Sequence, residues 1–186
     1  RFIITIGEKP GQAVSRDAGQ PVKLFTSEER AFSVAFPSLP VRTEETGDGN
    51  GGYSAIIYTV DKEDVVYEIV ATQFKDSTMT EASPYFDSDV AIEAVFSDVV
   101  SRGKLVSKKD IVVGTKNGLQ FRVQQNGVFT DCVLVMRGDT FYEIYIDSPV
   151  KKPLPEKDIQ DFFASFTFPK DSETTGDDQI TAMGAG

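Results

Sequence analysis

Asn126-Gly127, set between two runs of alternating apolar and polar residues, limits the possible folds of this chain more than any other pair in it. A two-residue hairpin turn that matches strand twist needs positive φ at both central positions, and Asn-Gly meets that need at little steric cost. Counting outward from the turn sets Arg122 opposite Asp131, Phe121 opposite Cys132 and Leu119 opposite Leu134. The charged pair falls on one face and the apolar pairs on the other, so the register is self-consistent. Gly138-Asp139 marks the next tight turn, which pairs Val135 with Tyr142 and Val133 with Ile144. Strands joined in this way form an antiparallel sheet.

The same grammar extends over most of the chain. Strands are expected at Val22–Phe25, Ala31–Phe36, Tyr53–Val60, Val65–Phe74, Leu105–Val113, Leu119–Gln125, Phe129–Arg137 and Phe141–Asp147, where β-branched and aromatic residues are dense and Gly, Pro and Asp clusters intervene. "VRTEETGDGNGG", from Val41 to Gly52, reads as a glycine-rich loop. "DKED", Asp61 to Asp64, reads as a four-residue hairpin loop with Val60 opposite Val65, Tyr58 facing Tyr67 and Ile56 facing Ile69.

In two places the period changes to that of a helix. From Phe86 to Arg102, apolar residues fall at Ala91, Ile92, Val95, Phe96 and Val99, with Gly103 as a stop. From Leu154, a proline start precedes Ile159, Phe162, Phe163 and Phe166 at helical spacing. Val65, Tyr67 and Ile69 lie on one face of their strand and Val66 and Val70 on the other, so both sheet faces need cover. The expected architecture is a single α+β domain over 21–170, a mainly antiparallel sheet with two helices forming an α/β/α sandwich. A polar arm or linker over 1–20 precedes it and a polar tail over 171–186 follows.

Charge and composition narrow the function classes. A formal charge of −10 and a pI near 4.5 oppose binding to phosphate backbones or anionic lipid, so nucleic acid is not an expected partner. With one cysteine, no intrachain disulfide can form. "RFIITIG" is too short to span a bilayer, and the start at Arg1 rather than Met fits a trimmed upstream signal.

The chain has no His, which excludes Ser-His-Asp and Cys-His catalysis and removes a common zinc ligand. Cys132, facing Phe121, reads as a small buried hydrophobe. Asp48 and Asn50 in "GDGNGG" alternate as in calcium loops, but the remaining ligands and the closing glutamate are missing, so no metal or other cofactor is expected. Two acids interrupt apolar strands in the same way: Glu68 in "VVYEIVA" and Glu143 in "TFYEIYI". If they met in an apolar pocket they could divide general acid and base roles in a hydrolase. The alternative is that they face solvent at a sheet edge or pair with Arg122 or Arg137. Phe129, Phe141 and Tyr145 would mark a partner surface if exposed, and core if a helix or the arm covers them.

"FSVAFPSLP", from Phe32, the central helix, the run of hairpins and the closing "DFFASFTF" together resemble the PsbP-like group, whose fold is shared with a Ran-binding nuclear-import factor. The resemblance rests on Phe32 to Pro37 and Ser165 to Phe168 and spans about Pro21 to Pro169. It implies a noncatalytic binding or accessory domain with a protein partner, often exported or membrane-associated. The other two readings are the carboxylate hydrolase and a structural subunit that self-associates through edge strands, with Lys23 and the N-terminal arm deciding whether the edge is blocked.

Overall fold

The computed structural model of the protein describes residues 23–47, 52–75 and 88–169. Within them run β1 (Lys23–Ser27), β2 (Phe32–Phe36), β3 (Val41–Gly47), β4 (Tyr53–Lys62), β5 (Val65–Phe74), α1 (Ser88–Val100), β6 (Lys104–Val113), β7 (Lys116–Gln125), β8 (Val128–Arg137), β9 (Thr140–Pro149) and α2 (Glu156–Ser165). β1 and β2 make a small sheet of their own. The other strands form a seven-stranded sheet in the order β3-β4-β5-β9-β8-β7-β6, antiparallel throughout. The 1–20 arm and the 171–186 tail lie outside the described residues.

The β7–β8 hairpin has the expected register, with φ of 49° at Asn126 and 79° at Gly127. The β8–β9 pairing also follows the sequence, turning at Gly138 with φ 64°. The β4–β5 hairpin does not. Its turn is two residues, Glu63 (φ 51°) and Asp64 (φ 71°), so Lys62 opposes Val65, Val60 opposes Tyr67, Tyr58 opposes Ile69 and Ile56 opposes Ala71. A shift of two leaves every side chain on its own face, so the apolar pattern cannot distinguish the registers. Only the turn can, and here it uses left-handed backbone without glycine.

The segment expected to be a loop from Val41 contains a strand instead. Val41–Gly47 pairs with β4 along its whole length, from Val41 opposite Thr59 to Gly47 opposite Tyr53. β3 is an edge strand with almost every residue exposed, so no apolar alternation reveals it.

Alternate residues of the large sheet enter two different cores. Ile56, Tyr58, Ile69, Val133, Val135, Ile144 and Ile146 join Phe32, Val34 and Phe36 of β2 and Ile159 and Phe162 of α2. Leu119, Phe121, Val123, Cys132, Leu134 and Met136 join Ile92 of α1, with Ala91, Val95, Phe96 and Val99 packed around them. The small sheet is held by the chain beyond α2. Ser33 and Thr167 exchange two backbone hydrogen bonds of 2.8 Å, and the Ala35 N–H donates to Ser165 Oγ at 2.9 Å. Phe32 stacks on Phe166 with ring centroids 5.3 Å apart.

Arg30 fastens the other end of that sheet. Buried in the turn before β2, it donates to Gln73 Oε1 at 2.6 Å and to Ser54 O and Oγ at 3.2 and 3.0 Å, while its own carbonyl accepts from the Tyr142 hydroxyl at 2.7 Å. Phe166→Ala should therefore cost about 3–5 kcal/mol in urea unfolding, whereas Phe163→Ala, removing a half-buried ring from the same helix end, should cost clearly less.

Candidate functional site

A cleft lies between the start of α1 and the outermost strand β6, and it follows from how β6 alternates. A bulge between Leu105 and Ser107 sets the phase, after which Lys108, Asp110 and Val112 lie opposite Phe121, Leu119 and Asn117 on the α1 side. Ile111 and Val113 turn to the other face and pack on the α2 core. α1 contributes Asp89, Ile92 and Glu93, one helical turn of its stripe and rim. The resulting cleft encloses about 620 Å³.

Its floor is apolar. Ile92 and Leu119 are buried, while Val112 is 67% exposed at the mouth. Its rim is acidic, with Asp89, Glu93 and Asp110 against one cation, Lys108. That ammonium lies 2.5 Å from Glu93 Oε1 and 4.1 Å from the centre of the Phe96 ring, so its charge is already engaged by a carboxylate and a π face. Gly118 lets β7 run close to β8 behind that floor: a Cβ there would point to the α2 side and come within 2.7 Å of the Leu134 carbonyl oxygen.

A second cleft of about 370 Å³ lies between the β1–β2 turn and β3. Its polar groups satisfy one another. Arg42 grips Glu29 through two hydrogen bonds of 2.8 and 3.2 Å, the Tyr58 hydroxyl donates to Glu29 Oε1 at 3.0 Å, and Ser27 Oγ lies 2.8 Å from the same hydroxyl. The Arg42 guanidinium holds the Glu29 carboxyl below its usual range, and burial raises the Tyr58 phenol. This arrangement ties the small sheet to β3 and offers little to a ligand.

Glu68 and Glu143 share one face of the sheet. Glu68 lies directly opposite Tyr145 and Glu143 opposite Val70, so the two acids are diagonal neighbours on adjacent central strands, both half-buried. The Tyr145 hydroxyl donates to Glu143, and Thr59 donates to Glu68 at 3.4 Å. Neither acid lines either cleft, and neither is on an edge strand. Arg122 is engaged by Asp131 at 2.7 Å and Glu156 at 2.9 Å.

Phe141 and Tyr145 are buried in the α1-side core, and Phe129 is half-buried, its ring centre 5.6 Å from the Arg122 guanidinium. The three do not form one exposed patch. Cys132 is fully buried, and burial, reinforced by the Glu143 charge, pushes its thiol well above the usual range. Among the described residues no group of three acidic or Cys side chains could hold a metal, and no helix is long and apolar enough to cross a membrane. Asp48 and Asn50 lie outside the described residues.

The sequence reading passed over the α1–β6 cleft. Its signal was present: Lys108 and Asp110 interrupt the face of β6 on which Val112 lies. Which face α1 would cover, and how far, was not written locally.

No protein-family model matches the sequence, and no curated protein matches it. Among solved structures, the chain is similar to cyanobacterial PsbP (CyanoP) from Synechocystis, with a TM-score of 0.55 at 7% identity, covering 83% of this chain and 98% of that one. The fold is therefore of the PsbP type. A Bacteroides thetaiotaomicron structure (TM-score 0.42, 19% identity, 81% of this chain and 50% of that one) and a Pseudomonas aeruginosa protein of unknown function (0.34, 12%, 68% and 82%) are more distant in shape.

Asp131 gives a test of the local electrostatics. Burial raises its carboxyl despite the bond to Arg122, so its contribution to stability is full below the unfolded value near 3.8 and is lost as pH rises through the folded one. In thermal melts, the stability difference between wild type and Asp131→Asn should move against the wild type as pH rises above about 4 through the raised value. Glu29, lowered by Arg42, should behave oppositely: the advantage of wild type over Glu29→Gln is present above pH 4.5 and disappears as pH falls through the lowered value.

Proposed function

We propose that this chain is a noncatalytic binding or accessory module that presents the α1–β6 cleft to a protein partner, on an α/β/α sandwich of the PsbP type. The observation that carries the reading is the cleft itself. An apolar floor, an acidic rim and the edge strand β6, with no further strand beside it among the described residues, meet in it, and a few polar groups around an apolar centre make a recognition surface. Its lining is carboxylates, one lysine, one asparagine, one glycine and aliphatic side chains, with no Ser, Thr, Tyr, Cys or His.

Affinity capture from the source extract, comparing wild type with a variant carrying both Asp110→Lys and Val112→Asp, tests this. A protein retained by the wild type and lost by the equally stable variant is the expected outcome. Equal retention by both would place recognition elsewhere.

A hydrolase using Glu68 and Glu143 is the second reading, supported by their position as diagonal neighbours on one sheet face. It requires Glu143→Gln to lower kcat by a factor of about 10² or more on a responsive glycoside or ester, with Tm preserved. Self-association through sheet edges has less support. Lys104, Lys108, Lys109 and a bulge sit on β6, the devices by which edges resist pairing with their own kind. A monomeric mass in sedimentation at working concentration is the expected result.

A further inference from the structure

Resting on the binding-module reading, we infer that the partner enters as an extended segment that adds to the outer edge of β6. It would place a Lys or Arg side chain against Asp110 and, two residues away, an apolar side chain against Val112. β6 is the last strand of the sheet, so its outer backbone groups are unpaired among the described residues. An added strand takes its affinity from such groups and its specificity from side chains that alternate along one face.

That face is written in β6 at the matching period: Lys108, Asp110, Val112. Lys108 is neutralised by Glu93 and rests over Phe96. Asp110 has no ion pair among the described residues, and Val112 is two-thirds exposed. Glu93 and Lys108 offset each other, which leaves Asp110 as the carboxylate of the cleft that faces an incoming side chain. A basic side chain is what this surface complements. The bulge at Leu105/Ser107 ends regular pairing, which confines the added strand to the stretch from Ser107 to Val113.

A second copy of the chain fits poorly. Two β6 strands paired antiparallel about a two-fold, in the register that joins Lys108 to Asp110, would set Lys109 directly against its own counterpart, a like-charge contact.

The test uses a fluorescein-labelled octapeptide in which valine and lysine alternate with threonine, titrated against the full chain and followed by fluorescence polarisation. Saturable binding is expected, weakened about tenfold or more by Asp110→Lys and separately by Val112→Asp, both exposed positions whose variants should keep the wild-type Tm. A peptide with glutamate replacing lysine should not bind. Amide shift changes should be confined to β6 and the first turns of α1. Equal affinity in the variants, or shifts centred elsewhere, would overturn the inference. So would failure of the peptide to bind at millimolar concentration while a captured partner still depends on the cleft; in that case the module reading stands and the added-strand mode falls. A mass doubling with peptide absent would point to a second copy as the occupant and also overturn it.

Discussion

The clasp between β2 and the chain beyond α2 holds the remaining architecture in place. Ser33 and Thr167 exchange backbone hydrogen bonds, Ser165 receives the Ala35 amide, and Phe32 stacks on Phe166, which in turn meets Phe168 and Tyr142 edge-on. A two-stranded sheet such as β1–β2 is marginal alone. Here it is fixed over one face of the large sheet by residues some 130 positions away, so the same contact that closes the core also seats α2. The two short motifs that carried the resemblance to PsbP-like proteins, Phe32 to Pro37 and Ser165 to Phe168, are the two halves of this clasp.

β9 divides the molecule. Flanked by β5 and β8, it sends Tyr142, Ile144 and Ile146 to the α2 side and Phe141 and Tyr145 to the α1 side. α1 contacts chiefly β7 and β8. It reaches β6 chiefly through Glu93 and Phe96 against Lys108, and the cleft is the space beyond that contact. In this sense the site is a by-product of coverage: a thirteen-residue helix seated over β7 and β8 leaves the α1-side face of the neighbouring edge strand β6 only partly covered among the described residues. What gives that space a chemical character is the local sequence of β6, where Lys108 and Asp110 stand at positions a fully covered strand would fill with apolar residues and Val112 is left exposed beside them.

The elements legible in the sequence were those in which a strong local rule agreed with the tertiary outcome. Asn126-Gly127 set the β7–β8 register because only one turn geometry suits that dipeptide. The stripes of α1 and α2 were legible because both helices bury one face. The misread elements lacked such a rule. β3 has no buried side to impose alternation, and the Glu63-Asp64 turn uses positive φ without glycine, leaving two registers with identical facing. Glu68 and Glu143 were legible as anomalies inside apolar strands, but their meeting depended on β5 pairing with β9 rather than with β6, a choice between strands distant in sequence.

The sequence alone determined the class of structure: an antiparallel α+β domain with two amphipathic helices, a net negative charge and no histidine chemistry. Those follow from composition and short-range periodicity, which are local properties. Tertiary structure decided the strand order, the clasp that closes the small sheet, and the cleft at β6. Each of these depends on which of several apolar faces meet across long stretches of chain, and apolar burial is non-directional, so local pattern cannot specify the partner.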